Sequence, residues 1–129
     1  MDIEVNVSIG EVVDKLTILE IKLLKINDQN KLSYVKNEKE FLIFKLESLN
    51  LLKSKNFQEL KQKLFETNIK LWEIEDKIRE YEKNKDFGDK FVDLARSVYI
   101  TNDKRFQIKD EINKSFNSEI REVKSYEEY

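Results

Sequence analysis

From Ile9 to Ser115 the apolar residues return at the spacing of helical turns, and the pattern lapses only briefly, near Asn27, near Ser54 and across Asn84–Asp89. A chain patterned this way folds by burying helical stripes against one another. The fold class it predicts is all-α: four long helices in an antiparallel bundle-like arrangement, with a short N-terminal strand-like segment and a docked C-terminal tail. At 129 residues this is a single helical domain, residues 1–129, large enough for one core and too small for two.

Local signals place the elements. Ile3, Val5 and Val7 alternate like a strand and lead into Ser8-Ile9-Gly10-Glu11, a capping box that starts helix one at Ile9 and carries it to about Asn27. Helix two is expected over about Leu32 to Ser54, with Val35, Leu42, Leu46 and Leu49 on its inner face and Tyr34, Phe41 and Leu52 widening that face. Asn56 is the expected cap of helix three, which runs to about Lys83. The turn around Gly88 opens helix four, about Asp89 to Ser115. In the tail, Asn117 to Tyr129, the side chains of Ile120, Val123, Tyr126 and Tyr129 favour docking, with pairing to the N-terminal segment as one way to achieve it.

Helix one is apolar on two sides. Val12, Leu16, Leu19, Leu23 and Ile26 form one face, Ile18 and Ile21 lie nearly opposite, and Asp14 stands between them. Such a helix is either central in its domain or shared with a second subunit. Four helices do not easily surround one of their number, so a homodimer with helix one near the interface is expected. The competing arrangement is a monomer in which the terminal segments cover the second side.

Composition removes whole chemistries. There is no Cys and no His, which excludes thiol nucleophiles, disulfides, imidazole acid–base catalysis and zinc sites built on nitrogen or sulfur. No metal and no cofactor is expected. The formal charge of −2 offers no bait for nucleic acid. The N-terminus, MDIEVN, does not resemble a signal peptide, and no apolar run is long enough for membrane insertion, so a cytoplasmic protein is expected.

The polar residues that share a stripe with the core are the sharpest functional clue. On helix four, Asn102, Arg105, Lys109 and Asn113 fall in line with Leu94, Val98, Ile112 and Phe116, and Arg96, Tyr99, Asp103 and Asp110 follow a parallel flank. On helix three, Asn68, Glu75 and Arg79 run along one edge of the Leu71, Ile74, Ile78 face. Polar groups aimed at a core form either a site or a paired network, because unpaired burial is too unfavourable to persist. Only 4 of the 24 basic residues are Arg. Where Lys dominates, each remaining Arg is a candidate for a role that needs its planar fork and permanent charge. The candidate ligand-binding set is therefore Asp14, Asn68, Glu75, Arg79, Arg96, Tyr99, Asn102, Asp103, Arg105 and Lys109.

The strings VSIGEVVDKLTILEIK (Val7 to Lys22), LWEIEDKIR (Leu71 to Arg79), FVDLARSVYITNDKR (Phe91 to Arg105), IKDEIN (Ile108 to Asn113) and EVKSY (Glu122 to Tyr126) resemble those of a family of small bacterial and phage proteins of unknown function. The resemblance spans Val5 to Tyr126 and implies a helical domain, with no catalytic or binding residues to carry over. Helical chorismate mutases offer a thinner likeness through Arg79, Arg105 and Lys109, but their first helix supplies an early Arg that this one lacks. All-helical pyrophosphohydrolases hold magnesium on paired acidic motifs. Glu11-x-x-Asp14 and Glu73-x-x-Asp76 have that spacing, which 26 acidic residues also produce by chance. No enzyme class is assigned. The leading reading is a non-catalytic protein-binding or assembly module. The second is a protein that binds a small anion, phosphate or carboxylate, or an enzyme, with its polar site between helices one, three and four.

Overall fold

The computed structural model describes all of residues 1–129 and contains four helices and no strand: α1 (Ile9–Lys25), α2 (Gln29–Ser48), α3 (Lys55–Lys83) and α4 (Asp89–Ser115). No helix is long and apolar enough to cross a membrane. Ser8 caps α1, its Oγ accepting from the Glu11 N–H at 3.1 Å. The cap of α2 is Asp28, which accepts from the N–H groups of Asn30 and Lys31, and that of α3 is Ser54, which accepts from Phe57. Helix two therefore starts earlier than its apolar pattern suggests and ends at Ser48, while α3 begins at Lys55, just ahead of the expected cap Asn56. In both places the nearest side chain able to accept from free helical N–H groups sets the boundary, not the apolar period.

The three later helices end alike. Asn50, Lys85 and Asn117 take left-handed φ angles of 57°, 52° and 56°. After each, an N–H reaches back to the carbonyl five residues earlier: Leu51 to Leu46, Asp86 to Tyr81 and Ser118 to Asn113. These are Schellman ends built without glycine, two of them on Asn, the residue that tolerates this conformation best after glycine.

The backbone of α1 lies against those of α2, α3 and α4, α3 and α4 lie against each other, and α2 comes close to α1 alone. All four helices feed one core: Val13 and Leu16 from α1, Leu46 from α2, Phe57, Leu60 and Leu64 from α3, and Ile108 and Ile112 from α4. So α1 is the central element. Ile21 is buried and Ile18 half-buried within the single chain. A helix of 17 residues is about 25 Å long and one of 29 about 43 Å, at 1.5 Å per residue. The α3–α4 hairpin consequently overshoots α1, and between Glu75 and Ile100 no residue is buried.

Two other expectations change. The segment Ile3 to Val7 forms no strand, and its apolar side chains are exposed. On α2, Tyr34 and Phe41 face solvent instead of widening the core face, and Leu49, expected on the inner face, is the exposed C-cap; a helix packed on one neighbour buries only a narrow stripe, here Leu32, Val35 and Leu46. The tail docks through polar contacts, and Ile120, Val123, Tyr126 and Tyr129 remain exposed.

Because core and overhang differ so sharply in burial, Leu64→Ala is expected to lower the unfolding free energy by about 2–5 kcal/mol. Val92→Ala, on the overhanging half of α4, is expected to change it by less than about 1 kcal/mol. Denaturant titration of both variants checks this contrast.

Candidate functional site

Asp14 sits on α1 at 2% exposure, in the middle of the bundle. A carboxylate there must find donors on both oxygens. Oδ1 accepts from Asn68 Nδ2 of α3 at 2.9 Å and from Arg105 Nε of α4 at 2.8 Å, and Oδ2 accepts from Arg105 Nη2. The Arg fork thus grips the carboxylate with two parallel N–H groups. Asn68 also donates to Thr17 Oγ1 at 2.9 Å, and Thr17 in turn donates to the Asp14 carbonyl at 2.8 Å.

One turn further along α4, the Lys109 ammonium pairs with Glu11 at 2.8 Å and with Glu122 of the tail at 3.0 Å, and lies 4.0 Å from Asp14 Oδ2. The other Glu122 oxygen meets Lys124 at 2.8 Å. Three cations, Arg105, Lys109 and Lys124, face three carboxylates, Asp14, Glu11 and Glu122. The cluster is electrically closed.

Protonation follows from these contacts. The hydrogen bond to Asp14 raises the Arg105 pKa against the lowering effect of burial. Burial pulls Lys109 down, yet its hydrogen bonds to Glu11 and Glu122 outweigh that and hold it above the ordinary lysine value. Glu122 is held below the ordinary carboxylate value, first by Lys124 and then by Lys109, with partial burial working the other way.

The N-terminus of α1 is equally occupied. The Ile9 N–H donates to Ser118 Oγ at 3.2 Å, Gly10 to Asn113 Oδ1 at 2.7 Å and Glu11 to Ser8. These are the groups that would otherwise attract an anion. Gly10 permits the approach, since a Cβ there would lie 2.6 Å from the Lys109 carbonyl oxygen and 2.9 Å from Asn113 Oδ1.

Of the ten candidate residues, Asp14, Asn68, Arg105 and Lys109 are brought together at the crossing of α1, α3 and α4. Asn102 is exposed, its Oδ1 a distant 3.4 Å from Arg105 Nη1. Glu75, Arg79 and Arg96 are exposed on the overhanging half of the hairpin and make no ion pair. Tyr99 and Asp103 form a separate contact with the tail: Tyr99 meets the Tyr129 ring edge-on at 5.4 Å, and the Tyr129 hydroxyl donates to Asp103. Sequence reasoning missed Gly10, Thr17, Ser118 and Glu122 as members of the network. It also read Glu11 as half of a capping box, whereas its carboxylate serves Lys109. The one available signal was Gly10, a glycine in a helix's first turn, where close backbone approach is a standing explanation.

A cleft of about 520 Å³ opens elsewhere between α3 and α4, where Lys63, Lys70 and Lys104 stand beside Glu66 and Glu111. None of the clustered residues lines it. The Glu11-x-x-Asp14 acids are committed to Lys109 and Arg105, and Glu73 and Asp76 face solvent.

Compared with known proteins, residues 3–129 match the model of a family of unknown function, DUF6165. No curated protein and no solved structure matches the chain.

Two outcomes are expected of the cluster. Arg105→Met strands the Asp14 carboxylate and should lower the unfolding free energy by about 3–5 kcal/mol, with the Asp14→Leu/Arg105→Met double variant losing less than the two single losses combined, as a denaturant double-mutant cycle would read. The tail should also respond to acid. Because the folded pKa of Glu122 is depressed, its contribution is complete above the ordinary glutamate pKa of about 4.3 and is lost as pH falls below that through the folded value. The protection factors of the tail amides, from which the intrinsic pH dependence of exchange has been divided out, should be steady from neutrality down to that point and then fall.

Proposed function

We infer that this chain, which belongs to that family of unknown function, is a non-catalytic assembly module that works through protein contacts, as a homodimer. The observation that carries the reading is the closure of its polar interior. Both oxygens of Asp14 are taken, Lys109 is answered by two carboxylates, and the first N–H groups of α1 are filled by side chains of the same chain. A group already satisfied on every side has no donor or acceptor left to orient a substrate. What the molecule leaves uncovered is apolar: Tyr34, Phe41 and Phe44 of α2 face water, as do large side chains of the hairpin and of both terminal segments. Exposed apolar surface of that kind marks a protein contact.

A small-anion reading has one observation on its side. The Glu122 carboxylate rests on Lys109, where a free carboxylate or phosphate would also sit. Arg79 and Arg96 lie away from that place and add nothing to it.

Thermal unfolding separates the two. Anything that binds the native state alone raises its melting temperature by mass action. The assembly reading expects a midpoint that rises with the protein's own concentration and does not move with added phosphate or dicarboxylates. A midpoint raised by those anions and indifferent to protein concentration would reverse the conclusion.

A further inference from the structure

Three threonines are buried in the helices, and two of them are satisfied. Thr17 donates to the Asp14 carbonyl and Thr67 to the Lys63 carbonyl, the usual answer for a hydroxyl on a helix. Thr101 of α4 is 3% exposed, and its hydroxyl is paired with no side chain and no carbonyl. Nor is that hydroxyl sealed in, since the one side-chain atom shut off from solvent without a hydrogen bond is Glu20 Oε1. Its opening is the cleft of about 520 Å³ between α3 and α4, which Thr101 lines. A buried hydroxyl left free at the floor of a cleft is a donor held ready for whatever enters.

The cleft walls belong to one flank of each helix. At 100° per residue, Lys63, Glu66, Thr67 and Lys70 fall within about 100° on α3, and Thr101, Lys104, Gln107 and Glu111 within about 120° on α4. Asn68 and Arg105 reach the same Asp14 carboxylate, which fixes the register of this antiparallel pair. Lys70 is then roughly level with Lys104, Glu66 with Gln107, and Lys63 with Glu111. Two of these levels are complementary, an acid with an amide and a cation with an acid. The third is not. Lys70 and Lys104 stand together as like charges beside the free Thr101 hydroxyl, and neither they nor Lys63 form an ion pair.

We propose that this cleft docks an acidic peptide segment of a partner protein, whose carboxylate enters between Lys70 and Lys104 and accepts a hydrogen bond from the Thr101 hydroxyl. This contact is additional to the one between two copies of the chain and does not depend on it. The mixture of groups sets the chemistry of the occupant. The lysine level calls for an anion, while Glu66 and Glu111 repel one and call for donors. Inorganic phosphate or a free dicarboxylate answers only the first demand, and a nucleic-acid backbone would set phosphates against both glutamates. A peptide carries what each level needs: a carboxylate for the lysines, backbone N–H groups for the glutamates and a carbonyl for the Gln107 amide.

The dimensions agree. From Lys63 to Lys70 the helix rises about 10 Å, the span of about three extended residues. The volume falls in the range of clefts that hold ligands. All three lysines are exposed, where a single ion pair contributes little. Affinity therefore accumulates only along a segment that meets several levels at once, and a lone anion is not retained.

Fluorescence anisotropy at low ionic strength tests the proposal with a dye-labelled, end-capped six-residue peptide, two central glutamates flanked by serine and glycine, and with its counterpart carrying glutamines instead. Circular dichroism checks the helical content of every variant. The parent chain is expected to bind the glutamate peptide saturably and at least about tenfold more tightly than the glutamine peptide. Lys70→Gln/Lys104→Gln is expected to weaken that binding about tenfold or more, and Thr101→Val, which keeps the shape of the side chain and removes its hydroxyl, about fivefold. Lys36→Gln/Lys53→Gln, which removes the same charge from exposed lysines elsewhere, is expected to leave it within about twofold. Equal affinity for the two peptides overturns the proposal, and a thermal midpoint that rises with protein concentration would leave the assembly reading standing beside that result. An equal loss in Lys36→Gln/Lys53→Gln overturns the cleft in favour of net charge alone. Unchanged binding by Thr101→Val overturns the seat assigned to the carboxylate. Inorganic phosphate that displaces the peptide at equal concentration overturns the peptide segment in favour of a small-anion site, and the assembly reading with it.

Discussion

Everything in this fold is arranged around a carboxylate that cannot be left alone. Asp14 lies on the central helix, where water does not reach it, and its ionised form is tolerable only because α3 delivers Asn68 and α4 delivers Arg105 to its two oxygens. Apolar stripes bring helices together without fixing how far one slides along another. A slip of one turn moves a side chain by about 5.4 Å, well beyond hydrogen-bond range. Any such slip of α3 or α4 would strand the Asp14 carboxylate, so the ion pair excludes registers that the leucines alone would permit.

The same logic closes the end of the bundle. The first turn of α1 presents free N–H groups, and the chain answers them with Asn113 from α4, Ser118 from the tail and Ser8 from its own cap. Asn113 reaches Gly10 only because nothing but hydrogen projects from that Cα. Glu11, released from the reciprocal half of its capping box, turns to Lys109, and Lys109 holds the tail through Glu122. The N-terminal helix and the C-terminal segment, more than a hundred residues apart in sequence, are thereby tied into one charge-balanced unit.

How much of this was legible depended on whether the controlling interaction was local. The caps and the helical period are written within a few residues, so α1, α3 and α4 could be read closely, while α2 was expected to start at Leu32 and run to Ser54 and instead spans Gln29–Ser48. The phase of α4 was also readable, and it singled out Arg105, Lys109 and Asn113 as inward-facing. Depth along a helix was not. Arg79 and Arg96 share a flank with the buried polar residues, but α1 is too short to reach them, and helix length mismatch is a property of the assembled bundle. Thr17, Ser118 and Glu122 were invisible for a related reason: each acts on a residue distant in sequence, and none disturbs the local pattern around it. The outward turn of Tyr34 and Phe41 was missed because periodicity gives the number of apolar faces, not the number of neighbours available to cover them.

That last point bears on function. In most small domains polar groups are outside and large apolar groups inside, and this chain departs from both halves of the rule. Inside, the polar groups of the cluster are paired among themselves. Outside, α2 sets three unpaired aromatic rings in water on the face opposite its only neighbour. The two departures are different in kind. A buried ion pair can be complete within one molecule, since each partner ends the other's need. An exposed apolar face cannot be completed from within once the helix carrying it has a single neighbour, because no further element of the chain lies beyond it. The interior polar cluster therefore accounts for how the chain holds its shape, and the outer face of α2 is apolar surface that the chain itself leaves uncovered.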